Sequence, residues 1–579
     1  MKGTSPSLVR FDGQERCAPS HSPWKRYYRP VMKSFAHKGF RVVATGLLLV
    51  AVATVSGCLT PENAVAEVDR EAYDAIGGKQ QILHGAPRAF AIDPHQHRIM
   101  ATVIDPETGL TLTDASLALD LATVLEVAAV NSRTFQQQKE SLFRAALSLM
   151  QEREQFHNIP FGTFDGAATS SGGAESIAGD TEFGVTRLLK NGGSYAVSLG
   201  LDFLRFVSSP TSETFGSFLN FSLSLPFLRN AGREIATENL IQADRDLLYA
   251  LRDFERFKQT FGVQVVTSYF NALTQKERIE IATRNLASLK RAREEVEERF
   301  REGRVSRVEL DQNLQAELDG ENSVINATQG LEASLDGLKD LIGLPVDLPV
   351  TVKSDDLAAL DALLEEESDI EEVIALKAAF RNRLDFRNVV EAVVDAGRRV
   401  HVAENALKPD FTLDLSAAPV SKNLKPLKYN YKDGTYIASF DLDFALDRHL
   451  ESISLRATLI DLQVALRNQE DSREGIKLEV RSALRAVRQA RENYRITKSG
   501  LELARRRVDS TKELRLVGRA STRDFLESQD SLVRSENDLV DTKVDYRIAF
   551  LEFFRDTGAL VVTPGGLDHE TSRDLLDGK

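Results

Sequence analysis

Gly303 to Val324 reads GRVSRVELDQNLQAELDGENSV, and at a fixed offset Gly518 to Leu539 reads GRASTRDFLESQDSLVRSENDL. The parallel continues without a gap to LKDLIG, ending at Gly343, and FFRDTG, ending at Gly558. Gly303/Gly518, Arg304/Arg519, Ser306/Ser521, Glu321/Glu536, Asn322/Asn537 and Gly343/Gly558 are identical, and Glu309/Asp524 match as carboxylates. A duplicated helical hairpin is the simplest cause, and an internal repeat is stronger evidence of architecture than any local motif.

Working outward, each repeat is preceded by a very long helix, about Ala231 to Arg301 and about Glu451 to Leu516, and returns by a shorter one. The returning helices are expected over about Arg307 to Leu341 and Arg523 to Thr557, with glycine at the C-terminal ends. Ile476, Val480, Ala483, Val487, Ala490, Tyr494, Thr497, Leu501, Ala504 and Val508 recur in alternating steps of four and three. That seam predicts lengthwise helix packing. Further helices, about Thr113 to His157 with Thr113 or Asp114 as N-cap, and about Asp369 to Ala406, precede two pairs of strands.

In SYAVSLGLDF (194–203) and FLNFSLSLP (218–226), apolar and small or polar residues alternate strictly. The second half repeats the pattern in FTLDLS (411–416) and YIASFDLDFAL (436–446). Period-two patterning gives each strand one apolar and one polar face. The polar faces carry Asp202, Asp414, Asp441 and Asp443. IPFGTFDGAATSSGGAESIAGD (159–180) reads as a loop by composition, and 181–190 as a continuation of the first strand through Asn191-Gly192-Gly193. Two strands in each half are therefore expected.

The amino terminus limits the compartment. From Met32 the chain shows a basic stretch, the apolar run VVATGLLLVAVAT and then VSG before Cys58, which reads as an export signal over 1–57. The alternatives are an ordinary cleavage site or a membrane anchor, and Met32 is a second candidate start. VSG-Cys resembles a bacterial lipobox, which implies a covalent lipid on Cys58, and Leu59 after it implies an outer-membrane destination. Cys17, the only other cysteine, would leave with the signal. Behind such a signal, alternating strands with inward aspartates favour a transmembrane barrel. Four strands cannot close one, because lipid-exposed edges leave backbone groups unsatisfied, so the chain must oligomerise. Two copies would give eight strands and three would give twelve.

The net charge of −13 and the lack of a basic face argue against nucleic acid. No GxxxxGK[ST], HExxH or GxSxG stands in its required context, so an enzyme is not expected. His95 and His97 in DPHQH read as a solvated loop rather than a metal site, and no cofactor is expected.

LTLTDASLALDLA (110–122), SLSLPFLRNAGRE (222–234), the tips REGRVS (301–306) and LVGRAS (516–521), and DLIGLP (340–345) carry a specific resemblance. With the doubled units, the chain from about Leu110 to Leu560 resembles the TolC family of outer-membrane channel proteins. The resemblance implies a mainly α fold with a transmembrane β-barrel: a homotrimer with twelve strands in the outer membrane above a long helical periplasmic tunnel. It also implies partners, a periplasmic adaptor and an inner-membrane pump in an efflux or type I secretion system. The division it gives is a signal (1–57), a lipidated leader (58–110), a first repeat (111–342), an equatorial connector (343–368), a second repeat (369–557) and a tail (558–579).

The resemblance implies site residues too. Asp524 and Glu527 match positions of an acidic ring at the periplasmic mouth, where crowding would raise some carboxylate pKa values. Glu309 falls where an acidic residue ties the two hairpins when closed. Arg515 stands in place of a tyrosine and Ala520 in place of an arginine that complete that tie, so Arg515, Arg519 or Arg523 would have to substitute. Adaptor docking would fall on Gly303, Arg304, Val305 and Ser306, and on Gly518, Arg519, Ala520 and Ser521. The competing reading is a lipid-anchored periplasmic adaptor or coiled-coil scaffold without channel activity.

Overall fold

The computed structural model describes residues 61–88, 90–92, 117–171, 174–206, 213–354, 357, 370–422, 425–444, 446–563 and 566–577. The expectations for Cys58, His95, His97, Thr113 and Asp114 lie outside them. The chain divides into two units, residues 1–69 and 70–579. Helix α1 (Pro61–His84) supplies the described residues of the first, and from Arg70 onward belongs to the second.

In the second unit, a short strand β1 (Leu117–Leu119) leads into α2 (Leu121–Asn131) and α3 (Arg133–Glu154). Asp120 is the N-cap of α2, accepting from the Thr123 amide at 2.9 Å. Its carboxyl is held well below the usual carboxylate range, chiefly by the Thr123 hydroxyl and by Lys353. The single helix expected up to His157 is thus shorter and broken at Ser132. Leu117–Leu119 pairs in parallel with β6 (Val350–Val352), which removes those residues from the helix.

Four strands follow: β2 (Ile159–Ser171), β3 (Ala174–Leu188), β4 (Ser194–Phe206) and β5 (Glu213–Pro226). Then come α4 (Arg233–Ala236), the 64-residue α5 (Glu238–Arg301) and the returning α6 (Arg307–Ile342). The second half has α7 (Glu372–Asn382), α8 (Leu384–Ala406), β7 (Asp410–Lys422), β8 (Lys425–Asp443), the 68-residue α9 (His449–Leu516) and α10 (Thr522–Asp556). A small hairpin, β9 (Val561–Thr563) and β10 (Gly566–Asp568), and α11 (His569–Asp577) end the described chain. At about 1.5 Å per residue the two long helices each run about 100 Å. No helix among the described residues is long and apolar enough to cross a membrane.

The sheet corrects the expected strand count. Its order is β2-β3-β4-β5-β7-β8, all antiparallel, six strands rather than four. The segment read as a loop, with 181–190 read as a continuation, forms a complete hairpin instead. Thirteen consecutive residue pairs join β2 to β3, and thirteen join β3 to β4. Asn191-Gly192-Gly193 is a turn rather than a kink within one strand: Gly192 has φ +94°, the Leu189 amide donates to the Gly193 carbonyl at 2.7 Å, and the Gly192 amide donates back to the Leu189 carbonyl at 3.0 Å.

The seam on α9 packs as its spacing requires: Ile476, Val480, Ala483, Val487, Leu501, Ala504 and Val508 are buried. The duplication extends to features that the sequence does not announce. The helix preceding each strand set is broken at one residue, Ser132 and Arg383, both extended at φ −61°, ψ 124° and φ −68°, ψ 112°. Into each break docks a left-handed glycine, Gly343 (φ +77°) and Gly558 (φ +68°), just beyond the returning helix. A Cβ on Gly343 would lie 2.2 Å from the Asn131 carbonyl oxygen, and one on Gly558 3.0 Å from the Arg383 amide. The largest core gathers at this level, with Val265, Tyr269, Leu338, Ala378, Val480 and Phe553 fully or almost fully buried.

Candidate functional site: hairpin tips and polar sheet face

Both hairpins reverse by the same device. Gly303 and Gly518 each have φ +72°, a left-handed conformation that glycine adopts without a Cβ penalty. The Arg304 amide donates to Arg299 O at 2.9 Å, and the Arg519 amide to Leu514 O at 2.8 Å, closing the two long helices identically. Ser306 and Ser521 then cap the returning helices, their hydroxyls accepting from the Glu309 and Asp524 amides. Gly303, Arg304, Gly518, Arg519 and Ser521 are exposed, while Val305 and Ala520 are half-buried in their turns.

The structure gives the implied gate residues unequal parts. Asp524 completes a capping box, accepting from the Ser521 amide at 2.9 Å and the Ser521 hydroxyl at 2.7 Å. These bonds lower its pKa, opposite in direction to the rise expected from crowding, which concerns several copies together. Since the folded value lies below the unfolded one, this cap contributes fully above the ordinary aspartate value of 3.8 and is lost as the pH falls through the lower folded value. Hydrogen exchange of the tip around Ser521, corrected for intrinsic rate, should therefore rise between pH 5 and pH 3 relative to the tip around Ser306.

Glu527 is exposed and pairs with Arg507 at 3.1 Å. Arg519 and Arg523 are exposed on the tip and make no tie to the first hairpin among the described ion pairs. Two other contacts join the hairpins. The Thr522 hydroxyl donates to Glu309 Oε2 at 3.3 Å, and Arg515 donates to Glu295 Oε2 at 2.6 Å. Arg515 is buried, stacked 4.2 Å from the centroid of Phe525, with Nε and Nη1 lacking partners among the described residues. Burial lowers its pKa, the expected direction for a desolvated cation. Of the three arginines considered from sequence, Arg515 is the one that pairs with the first hairpin among the described residues, and its partner is Glu295 rather than Glu309. Glu295 was missed because it lies in an Arg- and Glu-rich helix end where many carboxylates look alike.

At the other end of the helices, register sorts the strand residues. Opposite residues in antiparallel pairs share a face, and Phe183, Leu199 and Leu219 lie in one row, Val185, Val197, Phe221 and Ala417 in another. The other face carries Asp202, Asp414, Asp441 and Asp443, as the alternation implied: Asp414 is opposite Ser224 and Ser439, Asp441 opposite Thr412 and Asp443 opposite Asp410. It also carries Asp165, Asp180 and Glu182, which sequence reasoning missed with their hairpin. Among the described residues no cluster suited to hold a metal ion occurs.

Residues 186–344 match the family model described as outer membrane efflux protein. No curated protein matches the sequence. Among solved structures, CusC, studied for folding and transmembrane channel formation, is similar at 15% identity, covering 77% of this chain and 95% of that one, with a TM-score of 0.56. The CmeC outer-membrane channel of Campylobacter jejuni shares 17% identity over 78% of this chain and 88% of its own, at 0.56. The open-state MtrE outer-membrane channel of Neisseria gonorrhoeae shares 15% over 76% and 88%, at 0.54. At such identities the likeness establishes the fold. Together with the sequence match, it shows the resemblance to the TolC family of outer-membrane channel proteins. That is a family of transport proteins and not of enzymes.

Proposed function

We propose that this protein is the outer-membrane channel of a tripartite efflux or type I secretion system, passing substrates from an inner-membrane pump through a periplasmic helical tunnel to the exterior. The observation that carries this reading is the amphipathic antiparallel sheet, whose two edge strands have no further partner among the described residues, continued at one end by two helical hairpins of about 100 Å. A sheet apolar outside and acidic inside suits a water-filled barrel, and its open edges require neighbouring copies. A homotrimer is the assembly adopted. A periplasmic scaffold would account for the hairpins but would leave the apolar sheet face in water.

In this account the tips form the periplasmic gate and docking surface for an adaptor. Arg515–Glu295 and Thr522–Glu309 hold the two hairpins together within a copy. Asp524 and Glu527, repeated by threefold symmetry, place six carboxylates near the axis and favour cations there. Cys58 carries the lipid. Its replacement in Cys58→Ser should abolish incorporation of labelled palmitate while the protein still fractionates with the outer membrane, since the sheet supplies its own insertion. Recovery of the unaltered chain from periplasmic fractions as a soluble species would contradict the reading.

A further inference from the structure

We infer that the hairpin Ile159–Leu188 is part of the membrane wall, so that three copies close an eighteen-stranded barrel rather than the twelve that four strands per copy would give. The inference rests on the channel reading above and concerns the size of its outer-membrane pore.

Length is the first ground. β2 has 13 residues and β3 has 15, against the roughly 9–11 that a tilted strand needs to cross a bilayer. At about 3.3 Å per residue and a tilt near 40°, β2 would rise about 33 Å, more than the roughly 25 Å apolar band of an outer-membrane barrel.

The second ground is the continuity of both faces. The register carries the apolar face of β4 across the hairpin: Leu199 is opposite Phe183, Phe183 opposite Gly162, and Leu201 opposite Thr181, itself opposite Phe164. Phe164 is 70% exposed, Ile177 48% and Phe183 40%, against 45% for Leu199 and 39% for Leu201. Large apolar side chains so exposed at matching positions suit the same lipid solvent. On the opposite face Asp165, Asp180 and Asp202 stand in one row, each directly opposite the next. Like charges across a ladder are unfavourable, and water in a lumen screens them where hydrocarbon would not. The two faces of the hairpin therefore fit a wall with lipid outside and water inside.

Third, the hairpin is locked in register by rings laid over glycines. A Cβ on Gly184 would lie 2.5 Å from the Phe161 ring and one on Gly162 3.0 Å from Phe183, just as one on Gly200 would meet Phe218 at 2.0 Å in the β4–β5 pair. Such aromatic–glycine pairing pins register in curved sheets. The same device thus serves the hairpin and the strands beside it.

Finally, the edges fit one another. Among the described residues β2 and β8 each pair on one side only, with β3 and β7. Six alternating strands leave β2 and β8 antiparallel, so β8 of one copy meets β2 of the next in an ordinary antiparallel pair. The occupant of each edge is a second copy of this chain, and threefold closure leaves no edge exposed to lipid. Because diameter grows roughly linearly with strand number, the outer-membrane opening would be about half again as wide as a twelve-stranded one. Its wall would carry the Asp165, Asp180 and Asp202 row three times.

Accessibility to a membrane-impermeant maleimide tests this in the full chain in outer membranes, with labelling of the unaltered chain as background. Phe164→Cys and Asp165→Cys probe the hairpin; Leu199→Cys and Asp202→Cys probe the neighbouring strand. The expected result is labelling of the variants at 165 and 202, with protection of at least tenfold at 164 and 199. Labelling at both 164 and 165 with 199 protected would place the hairpin outside the wall and overturn the inference while leaving the channel reading intact. Labelling at 199 as well would overturn both. Should the substitutions at 164 and 165 impair assembly, Ile177→Cys and Asp180→Cys ask the same question on β3. A thiol crosslinker on the double variant Thr163→Cys, Ser439→Cys should then give covalent dimers and trimers through the β2–β8 contact. Monomers alone, in material that sizes as a trimer, would contradict the proposed closure.

Discussion

Gly343→Val should leave little folded protein. Gly343 sits at φ +77°, where a β-branched residue is strained by roughly 1–3 kcal/mol. The added Cβ would also meet the Asn131 carbonyl oxygen at 2.2 Å, a backbone atom that cannot rotate away. Relief would require moving the α2–α3 break out of the largest core, so the total cost is expected to reach about 4 kcal/mol or more. Gly303→Val, at nearly the same φ but with open space around its Cβ, should cost only the conformational part. Thermal unfolding of the two variants side by side separates docking from backbone strain. Equal losses would mean that docking of the glycine into the helix break contributes nothing.

The second large effect is expected at the tips. Glu295→Ala would leave the Arg515 guanidinium buried with no carboxylate, since its other two nitrogens already lack partners among the described residues. Removing one member of a buried pair costs about 3–5 kcal/mol when both are enclosed. Glu295 is 36% exposed, so about 2 kcal/mol is the more reasonable scale here. Glu309→Ala adds the loss of the Thr522 tie. The double variant should loosen the two hairpins from each other and raise single-channel conductance several-fold, with the loss of stability confined to local opening of the tips, read as faster hydrogen exchange there than in the rest of the helical body. Arg515→Met, which removes the charge and keeps the contact with Phe525, should be milder, because Glu295 retains Arg299 at 2.6 Å. If Arg515→Met opened the channel more than the double variant, the tie would lie elsewhere.

How far the sequence disclosed this architecture follows from which signals are local. The hairpin tips were legible because glycine at a left-handed position and a serine cap leave residue-type marks, and the same marks recur 215 positions later. The seam on α9 was legible through its spacing. The hairpin Ile159–Leu188 was not, because glycine, alanine, serine and threonine fill most of β2 and conceal its period-two pattern. Its partner β3 mixes Asp180 and Glu182 with small residues in the same way. Those strands are specified by ring-over-glycine contacts across the ladder, which appear only once the partner strand is known. The breaks at Ser132 and Arg383 were equally hidden, since neither carries proline or glycine and each exists to receive a glycine about 200 residues away. Asp524 was singled out for its place at the mouth, and its capping role came from the Ser-x-x-Asp spacing that any helix start can carry.

The most direct test of the account is single-channel recording in planar bilayers from the purified full-length protein, compared with the double variant Asp524→Asn, Glu527→Gln. Asparagine at 524 keeps an oxygen to accept from Ser521, so the comparison removes charge while sparing the cap. Discrete, small, cation-favouring currents are expected from the unaltered chain, and a loss of cation preference in the variant. No conductance from either, in protein shown to be folded and inserted in the bilayer, would contradict the channel reading.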